Sequence, residues 1–252
     1  MSDFSRRKLI KAGLAATAGV AGLGVAARIA QKYGLIPPDH GGIYGLGETL
    51  TYASHRLLTR HSLAREFPRS QISKPPLANE MPPLKEAYKR LQAGGFVDWR
   101  LSVNGMVDRP ASFSLAQLKS YPSRSQITQL ACEEGWSYIA EWIGVPLSHV
   151  LGLVGVHPQA RYIVYYSIDP DWWDSIDMAD ALHPQTFLAY GMNGDELPVG
   201  NGGPLRLRLP RQLGYKSVKF ITHLTVTDGL KGFGKGLGSA EPEVGYAWYA
   251  GI

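Results

Sequence analysis

Polar and apolar residues alternate over short segments in the second half of the chain, with Gly, Pro and Asn between the segments. This alternation predicts short strands over residues 99–103, 126–131, 161–168 and 217–227. Leu205, Leu207 and Leu209 alternate with Arg206 and Arg208, so the leucines and the arginines should point to opposite faces of one more extended segment. The pattern is that of a sheet-rich domain.

Helical spacing is confined to short stretches, several of which carry a start or stop signal. Ser114 is placed to cap one helix, and Pro146 occupies the first turn of another. The predicted helices cover residues 48–60, 85–92, 115–119, 146–153 and 177–182. With 29 Gly and 17 Pro in 252 residues, loops and short strands should outnumber long helices.

The first 30 residues are typical of a targeting segment. Arg6 and Arg7 stand side by side ahead of an uncharged apolar run from Ala12 to Ala27. That run has 16 residues, fewer than the ~20 that a membrane-spanning helix needs, so we expect twin-arginine export, with an uncut membrane tether as the alternative. The sequence predicts this segment over residues 1–30, a peripheral lead-in over 31–95 and the main domain over 96–252.

The positive charge of the chain is concentrated in the same segment. Residues 1–30 contain five basic residues and one acidic residue, which is four of the five net positive charges of the whole chain. The remainder is therefore nearly neutral, and we expect no nucleic-acid partner.

Cys132 is the single cysteine of the chain, so no internal disulfide can form. The thiol is an intermolecular link, an inert core residue or a soft metal ligand. One cysteine cannot build a zinc or iron–sulfur site, because such sites draw several protein ligands. A metal at Cys132 would need a cofactor that brings its own ligands.

Three further segments could line a site. The Gly-rich turn at 201–206 leads into alternating arginines, which indicates either an anion site or a hairpin with solvated arginines. The basic turn at 214–219 is either a phosphate cradle or a solvated loop. Residues 169–174 are acidic and aromatic, and they form either a pocket mouth or an exposed loop with packed tryptophans.

These segments together resemble the molybdopterin-binding oxidoreductase domain of the sulfite oxidase superfamily. The matching segments, in order, are residues 99–105, 132–137, 142–147, 183–190, 193–194, 201–206 and 216–219. The tail at 245–249 is similar to the end of the bacterial periplasmic branch, whose members are catalytic subunits of protein-methionine-sulfoxide reductases. The resemblance implies an α+β fold with mixed β-sheets and short peripheral helices.

The resemblance also implies a molybdenum–molybdopterin cofactor and a role for each matching residue. Cys132 would be the metal ligand and the catalytic centre. The residues implied to bind the cofactor are Tyr44, Ser167, Asn201, Arg206, Ser217, Val218 and Lys219. Assembly of a large cofactor before export gives the twin-arginine segment a physical reason.

The implied activity is oxygen-atom transfer, with reduction of an S-oxide or a related oxidised group on a small molecule or a protein. Electrons would be exchanged with a separate redox protein, for which a membrane cytochrome is our hypothesis. Glu133 and Glu134 follow Cys132 where sulfite oxidases carry arginines, and acidic groups there would repel sulfite. The alternatives are a non-catalytic pterin- or anion-binding module, sulfite-type oxidation, and a hydrolase with an incidental cysteine.

Overall fold

The computed structural model describes residues 28–30, 33–42, 45–74, 77–78 and 85–252. Almost all of the predicted targeting segment, residues 1–27, lies outside this range. Within the described residues, no helix has both the length and the apolar character needed to cross a membrane.

In the described part of the chain, ten strands form two sheets, one mixed and one antiparallel. They are β1 Arg100–Gly105, β2 Ala111–Ser114, β3 Arg124–Ala131, β4 Ser137–Pro146, β5 Tyr162–Ser167, β6 Trp173–Asp177, β7 Phe187–Met192, β8 Asp195–Glu196, β9 Arg206–Arg208 and β10 Ile221–Thr227. The first sheet has the order β2-β1-β10-β5-β6, in which β1 and β10 are parallel and the other neighbours antiparallel. The second sheet has the order β3-β4-β7-β8, and β9 also pairs with β7.

The helices are short and peripheral. Apart from residues 28–30, which are also helical, the α-helices of the described residues are α1 Gly45–Leu58, α2 Glu86–Ala93, α3 Leu115–Ser120, α4 Leu147–Val154 and α5 Met178–Ala181. At the start of α3, the Ser114 hydroxyl accepts from the Gln117 backbone N–H at 3.1 Å, and the Gln117 side chain accepts from the Ser114 N–H at 2.8 Å. This reciprocal capping box stabilises the helix start. The predicted α+β class, with mixed sheets and short peripheral helices, is confirmed.

The main core lies where both sheets and α4 turn their apolar faces toward each other. Leu101 and Val103 of β1, together with Leu205, Leu207 and Leu209 around β9, are fully buried in it. Full burial of each such side chain contributes roughly 1.5–3 kcal/mol relative to exposure. Burial of the three leucines therefore determines which face of β9 points into this core. Arg206 and Arg208 lie on the opposite face.

The lead-in is fastened to the main domain through α1. The guanidinium of Arg56 donates to Asp177 Oδ2 at 2.7 Å and to Asp180 Oδ2 at 2.5 Å, and all three side chains are buried. The Tyr52 hydroxyl also donates to Asp177 Oδ2, at 2.6 Å. Its ring contacts Trp248 of the C-terminal tail edge-on at 5.6 Å. The lead-in and the tail thus pack together on the same side of the domain.

Three local predictions differ from the structure. The longest strand, β4, was not predicted, because its ten residues are apolar on both faces and show little alternation. The strand predicted over 217–227 begins only at Ile221. Asn104-Gly105 is a dipeptide that predicts a turn after the strand at 99–103, but it continues β1 instead. A Cβ at Gly105 would lie 2.1 Å from the Val226 carbonyl oxygen. Glycine is needed there for close strand approach.

Candidate functional site

A cavity of about 870 Å³ opens between the ends of the strands, the lead-in and the C-terminal tail. Seven of the eight predicted site residues line it, namely Cys132, Ser167, Asn201, Arg206, Ser217, Val218 and Lys219. The eighth, Tyr44, lies outside the described residues. The structure therefore brings residues from four separate segments to one space, and their individual roles stay predictions.

Cys132 lies just after β3, at the start of the tight connection to β4. Its backbone N–H donates to the Trp136 carbonyl at 2.9 Å, which closes the turn. The side chain is 9% exposed, and its Sγ lies 3.3 Å from Glu133 Oε2 and 3.7 Å from Glu134 Oε2. Burial raises the pKa of the thiol to about 11, and the two carboxylates add to this rise. The thiol is therefore protonated at neutral pH, and binding of a metal ion there would release the proton.

Gly214 shapes the floor beside this thiol. A Cβ at Gly214 would lie 3.0 Å from Leu130 Cδ2 and 3.5 Å from the Cys132 Cα. Because no side chain stands there, the turn at 214–217 packs directly on the end of β3. The two segments that carry Cys132 and Ser217 are in this way held against each other.

Arg206 is the central cation of the cavity and is only 3% exposed. One of its terminal nitrogens donates to the Asn201 carbonyl at 2.8 Å, and the other donates to the Ser217 carbonyl at 2.7 Å. Its Nε is buried and has no hydrogen-bond partner among the described residues. Burial lowers the pKa of this guanidinium. Arg206 thus ties two predicted binding segments together and still presents an unsatisfied donor.

Arg208 shares this environment and is also buried. The guanidinium carbons of Arg206 and Arg208 lie 5.3 Å and 5.0 Å from the centre of the Trp142 ring. The alternative of two solvated surface arginines is therefore wrong. The reason is that the side chain of Trp142, from β4 of the same sheet, packs against both guanidinium groups.

The Gly-rich turn brings the second cation, Lys219, close to Arg206. Gly202 has a φ of 107°, and a Cβ there would lie 2.9 Å from the Lys219 Cβ and 3.2 Å from the Arg206 Cβ. Lys219 donates to the Gly200 carbonyl at 2.7 Å. Burial, together with the charge of Arg206, lowers the pKa of Lys219 to about 8. Two crowded cations at a turn of this kind form an anion-binding concavity.

The remaining predicted residues complete the wall. The Asn201 amide donates to the Leu77 carbonyl at 3.1 Å and to the Tyr138 hydroxyl at 3.3 Å. The Ser167 hydroxyl, at the end of β5, accepts from the Asp169 N–H at 3.3 Å. Val218 contributes an apolar surface beside Ser217. Each residue is held by a neighbouring segment, so the wall is formed before any ligand binds.

Lys216, the other lysine of the basic turn, does not line the cavity. Its ammonium group pairs with the buried carboxylate of Asp174 and donates to the Ser175 carbonyl at 2.8 Å. Of the two lysines in this turn, Lys219 serves the cavity and Lys216 stabilises the fold behind it.

Sequence reasoning missed several lining residues. Trp136 and Tyr138 stack at 6.1 Å along one side, and Glu241 and Tyr246 reach the cavity from the tail. The acidic and aromatic character of residues 169–174 was a usable signal, because Asp169, Asp171, Trp172 and Trp173 all line the cavity. For the tail, no chemical signal distinguished Glu241 from any solvated glutamate.

The donor set fits a cofactor that is anionic and carries its own metal ligands. Among the described residues, no group of three or more His, Cys, Asp or Glu side chains is placed to hold a metal ion. A metal at Cys132 would thus depend on ligands from a cofactor. The unsatisfied Nε of Arg206 and the ammonium of Lys219 suit its phosphate. The cavity volume falls within the ~300–1,000 Å³ range of cofactor pockets.

Comparisons with known proteins agree with this geometry. Residues 90–231, more than half of the chain, match the family described as oxidoreductase molybdopterin binding domain. A protein of Azospira oryzae, provisionally named a protein-methionine-sulfoxide reductase subunit, YedZ1, is 38% identical over 195 residues, which cover 77% of this chain and 70% of that protein.

Two further proteins are similar over about half of the chain. The protein-methionine-sulfoxide reductase catalytic subunit MsrP of Xanthomonas axonopodis pv. citri is 36% identical over 141 residues, 50% of this chain and 44% of its own length. The sulfane dehydrogenase SoxCD of Paracoccus pantotrophus is structurally similar, with a TM-score of 0.50 and 26% identity over 52% of this chain and 39% of that one. The chain thus spans less than half the length of both proteins.

The predicted superfamily, the predicted fold type and the prediction of a molybdopterin-dependent oxidoreductase are confirmed by these matches. A hydrolase with an incidental cysteine and a non-catalytic module are not supported. With its thiol, its buried cations and its cavity in the matched region, this chain belongs to the family of oxidoreductases that contain a molybdopterin-binding domain.

Proposed function

We propose that this chain is an exported molybdenum enzyme that reduces S-oxides, with methionine sulfoxide residues of proteins as the substrate class. Electrons would come from a separate membrane-bound redox protein. The names of the Azospira and Xanthomonas relatives, a reductase subunit and a catalytic subunit, support both the substrate class and the dependence on a partner.

The observation that carries the proposal is the convergence of one thiol and two buried cations on a single cavity. Cys132 would hold the molybdenum, while Arg206 and Lys219 would hold the phosphate of the cofactor. The cofactor, when bound, supplies two-electron redox chemistry and oxygen-atom transfer. The chain supplies the position, the charge and the shape of the site.

The residues around the thiol favour uncharged S-oxides over anions. Glu133 and Glu134 lie within 4 Å of the Cys132 sulfur, so negative charge already occupies the surroundings of the reactive centre. Sulfite would have to approach against that charge, whereas the S=O group of a sulfoxide carries no net charge. The aromatic rings of Trp136 and Tyr138 offer an apolar surface for the rest of the substrate.

The reaction balance requires a partner. Reduction of an S-oxide breaks the S–O bond, consumes two electrons and two protons, and releases a thioether and water. The electrons would come from another protein, which the names of the relatives, a reductase subunit and a catalytic subunit, support. Arg6 and Arg7 ahead of the apolar run support export before this encounter. The cofactor-loaded protein would then lie in the periplasm or, if the segment stays uncut, on the membrane.

Protein purified from the periplasm of its own host tests the proposal. We expect about one molybdenum per chain by elemental analysis, and turnover of methionine-sulfoxide peptides with a reduced viologen dye as electron donor. Cys132→Ser should lose the metal and the turnover while keeping its circular dichroism spectrum. Ser137→Ala, an exposed change in the same hairpin, is the matched control and should retain both.

Three results would contradict the proposal. If the native protein contained no metal, the assignment of molybdenum would be wrong. Sulfite-dependent reduction of an acceptor, without any S-oxide turnover, would favour sulfite-type oxidation instead. Full activity in Cys132→Ser would show that the thiol is incidental.

A further inference from the structure

The mouth of the cavity is built largely by segments outside the region that matches the family. The deep end, with Cys132, Asn201 and Arg206, lies within residues 90–231. Leu77 approaches from the lead-in, and residues 241–246 approach from the tail. At the entrance, these segments from outside the matched region meet Asp171 and Trp172, which lie within it.

We call the entrance the rim and define it by the outermost lining residues. These are Leu77, Asp171, Trp172, Glu241, Val244 and Tyr246. The four apolar members are between 45% and 72% exposed, although large apolar side chains are normally covered in a folded protein. An exposed apolar patch with polar neighbours around a binding cavity is typical of a surface that contacts another macromolecule.

The charge of the rim is opposite to that of the deep end. Asp171 and Glu241 form no ion pair with any described residue, and Glu133 lies just inside them. Lys85, the cation that the described residues place near the mouth, is already paired with Asp169 at 2.7 Å. Inside, Arg206 and Lys219 are positive, and the unsatisfied Nε of the buried Arg206 marks that end as a binding site on independent grounds. The entrance is thus acidic and apolar, and the interior is basic.

We propose that the rim selects S-oxide groups carried on flexible polypeptide segments that have Lys or Arg next to the oxidised side chain. This inference rests on the proposed function and specifies its substrate. A neighbouring ammonium or guanidinium group would meet Asp171 and Glu241, and its aliphatic stem would lie on Trp172 and Tyr246. Segments rich in Asp or Glu would be repelled, which adds discrimination against the wrong substrate.

A small S-oxide cannot make these contacts, because it is consumed at the deep end and does not extend to the rim. The rim should therefore act on the KM of peptide substrates more than on kcat. Two exposed charge contacts, each worth little by itself, predict about a tenfold range in kcat/KM between basic and acidic peptides at low salt. Screening by salt should narrow that range.

The test uses the full cofactor-loaded protein at pH 8.5, above the pKa of about 7 of the Glu241 carboxyl, and three peptides of equal length. Each peptide has one methionine sulfoxide, flanked by Lys, by Ser or by Glu. We expect kcat/KM to decrease in that order, with the difference mainly in KM and reduced at 0.5 M salt. In the double variant Asp171→Asn, Glu241→Gln the basic-to-acidic ratio should fall to within about twofold.

A matched control and a second readout accompany the kinetics. Glu243→Gln lies in the same short 3₁₀ turn but outside the cavity lining, and it should keep the wild-type ratio. Fluorescence anisotropy with the same peptides carrying methionine sulfone, which is not turned over, should give the same order of affinities.

The outcomes separate the two proposals. If no S-oxide is turned over, the proposed function fails, and the sulfone affinities still decide whether the rim reads charge. If all three peptides have equal kcat/KM and equal affinities, or if the acidic peptide is preferred, the rim proposal is overturned. Retention of the full basic-to-acidic ratio in the double variant would also overturn it, because the preference would then arise elsewhere.

Discussion

Arg56 and Arg206 are both buried guanidinium groups, but their neighbours differ. Arg56 lies between the carboxylates of Asp177 and Asp180, at 2.7 Å and 2.5 Å. Burial alone would lower its pKa, and the two carboxylates raise it above the ordinary value instead. Arg206 has no described carboxylate within ion-pair distance, donates to backbone carbonyls, and has its pKa lowered by burial.

The difference separates a structural charge from a functional one. Where the lead-in meets the main domain, the charge of Arg56 is balanced by carboxylates of the same chain, so no ligand is needed to stabilise it. At the cavity, the desolvation cost of Arg206 is offset only in part, and an anion from outside would complete the balance. A buried cation without a carboxylate is thus a stronger sign of a ligand site than a buried cation with one.

The largest expected effect comes from breaking the balanced site. Arg56→Met would leave Asp177 buried without its counter-charge and Asp180 with only Arg211, at 3.6 Å, which should lower the free energy of unfolding by about 3–5 kcal/mol. Urea denaturation measures this loss, and it should be the same with and without cofactor. Arg60→Ala, an exposed change just after α1, should alter stability by less than about 0.5 kcal/mol. A loss below about 1 kcal/mol in Arg56→Met would mean that the pair is dispensable.

The same substitution at the cavity should be milder in the cofactor-free protein. Arg206→Met removes two hydrogen bonds to backbone carbonyls but also removes an uncompensated buried charge, so we expect a loss of about 2 kcal/mol. Cofactor content per chain, from molybdenum analysis and from pterin fluorescence after oxidation, should fall several-fold. Arg56→Met and Arg206→Met could instead lower the free energy of unfolding by the same amount and retain the same cofactor content. In that case the distinction between a structural and a ligand-binding arginine would be wrong.

The sequence predicted much of this contrast but could not decide it. Alternation placed Arg206 and Arg208 on the face of β9 opposite the leucines, and this is what the structure has. Whether that face meets water or other side chains depends on Trp142 of β4. The sequence did not predict β4 as a strand, because its residues are apolar on both faces. Period-two alternation identifies faces, and only the tertiary arrangement says what covers them.

The pairing of Arg56 was beyond sequence reasoning for a different reason. Asp177 lies 121 residues further along, and no local pattern connects it to α1. The deep end of the cavity was predictable because its residues fall in segments that resemble one family and follow each other in the same order. The rim was not, since Glu241 and Tyr246 are ordinary surface residue types whose position follows from how the tail packs.

Gly202 tests whether the crowding of cations at the cavity is required. Gly202→Ala would place a Cβ 2.9 Å from the Lys219 Cβ at a φ of 107°, which should cost about 1–2 kcal/mol and push the two cations apart. We expect cofactor content to fall together with thermal stability. Gly229→Ala, where no atom lies within 4 Å of the new Cβ, is the matched control. Normal cofactor content in Gly202→Ala would show that the spacing of Lys219 and Arg206 is not critical.

The smallest effect concerns Glu241, a carboxyl group at the cavity that has no described ion-pair partner. Burial raises its pKa to about 7, with Asp174 and Glu133 adding to the rise and Lys216 opposing it. Between the ordinary value of about 4.5 and 7, the folded state holds a proton that the unfolded state has released. Stability from this group is therefore present at pH 4 and lost as the pH rises to 7.

Glu241→Gln removes the titration, so the decrease in unfolding free energy between pH 4.5 and pH 7.5 should become smaller. Because the side chain is partly exposed, we expect a change below about 1 kcal/mol, measured by urea denaturation of the cofactor-free protein at both pH values. Glu243→Gln, two residues away and paired with Lys235 at 3.7 Å, should leave the decrease unchanged. An identical pH dependence in Glu241→Gln and the wild type would mean that Glu241 is solvated like an ordinary surface carboxylate.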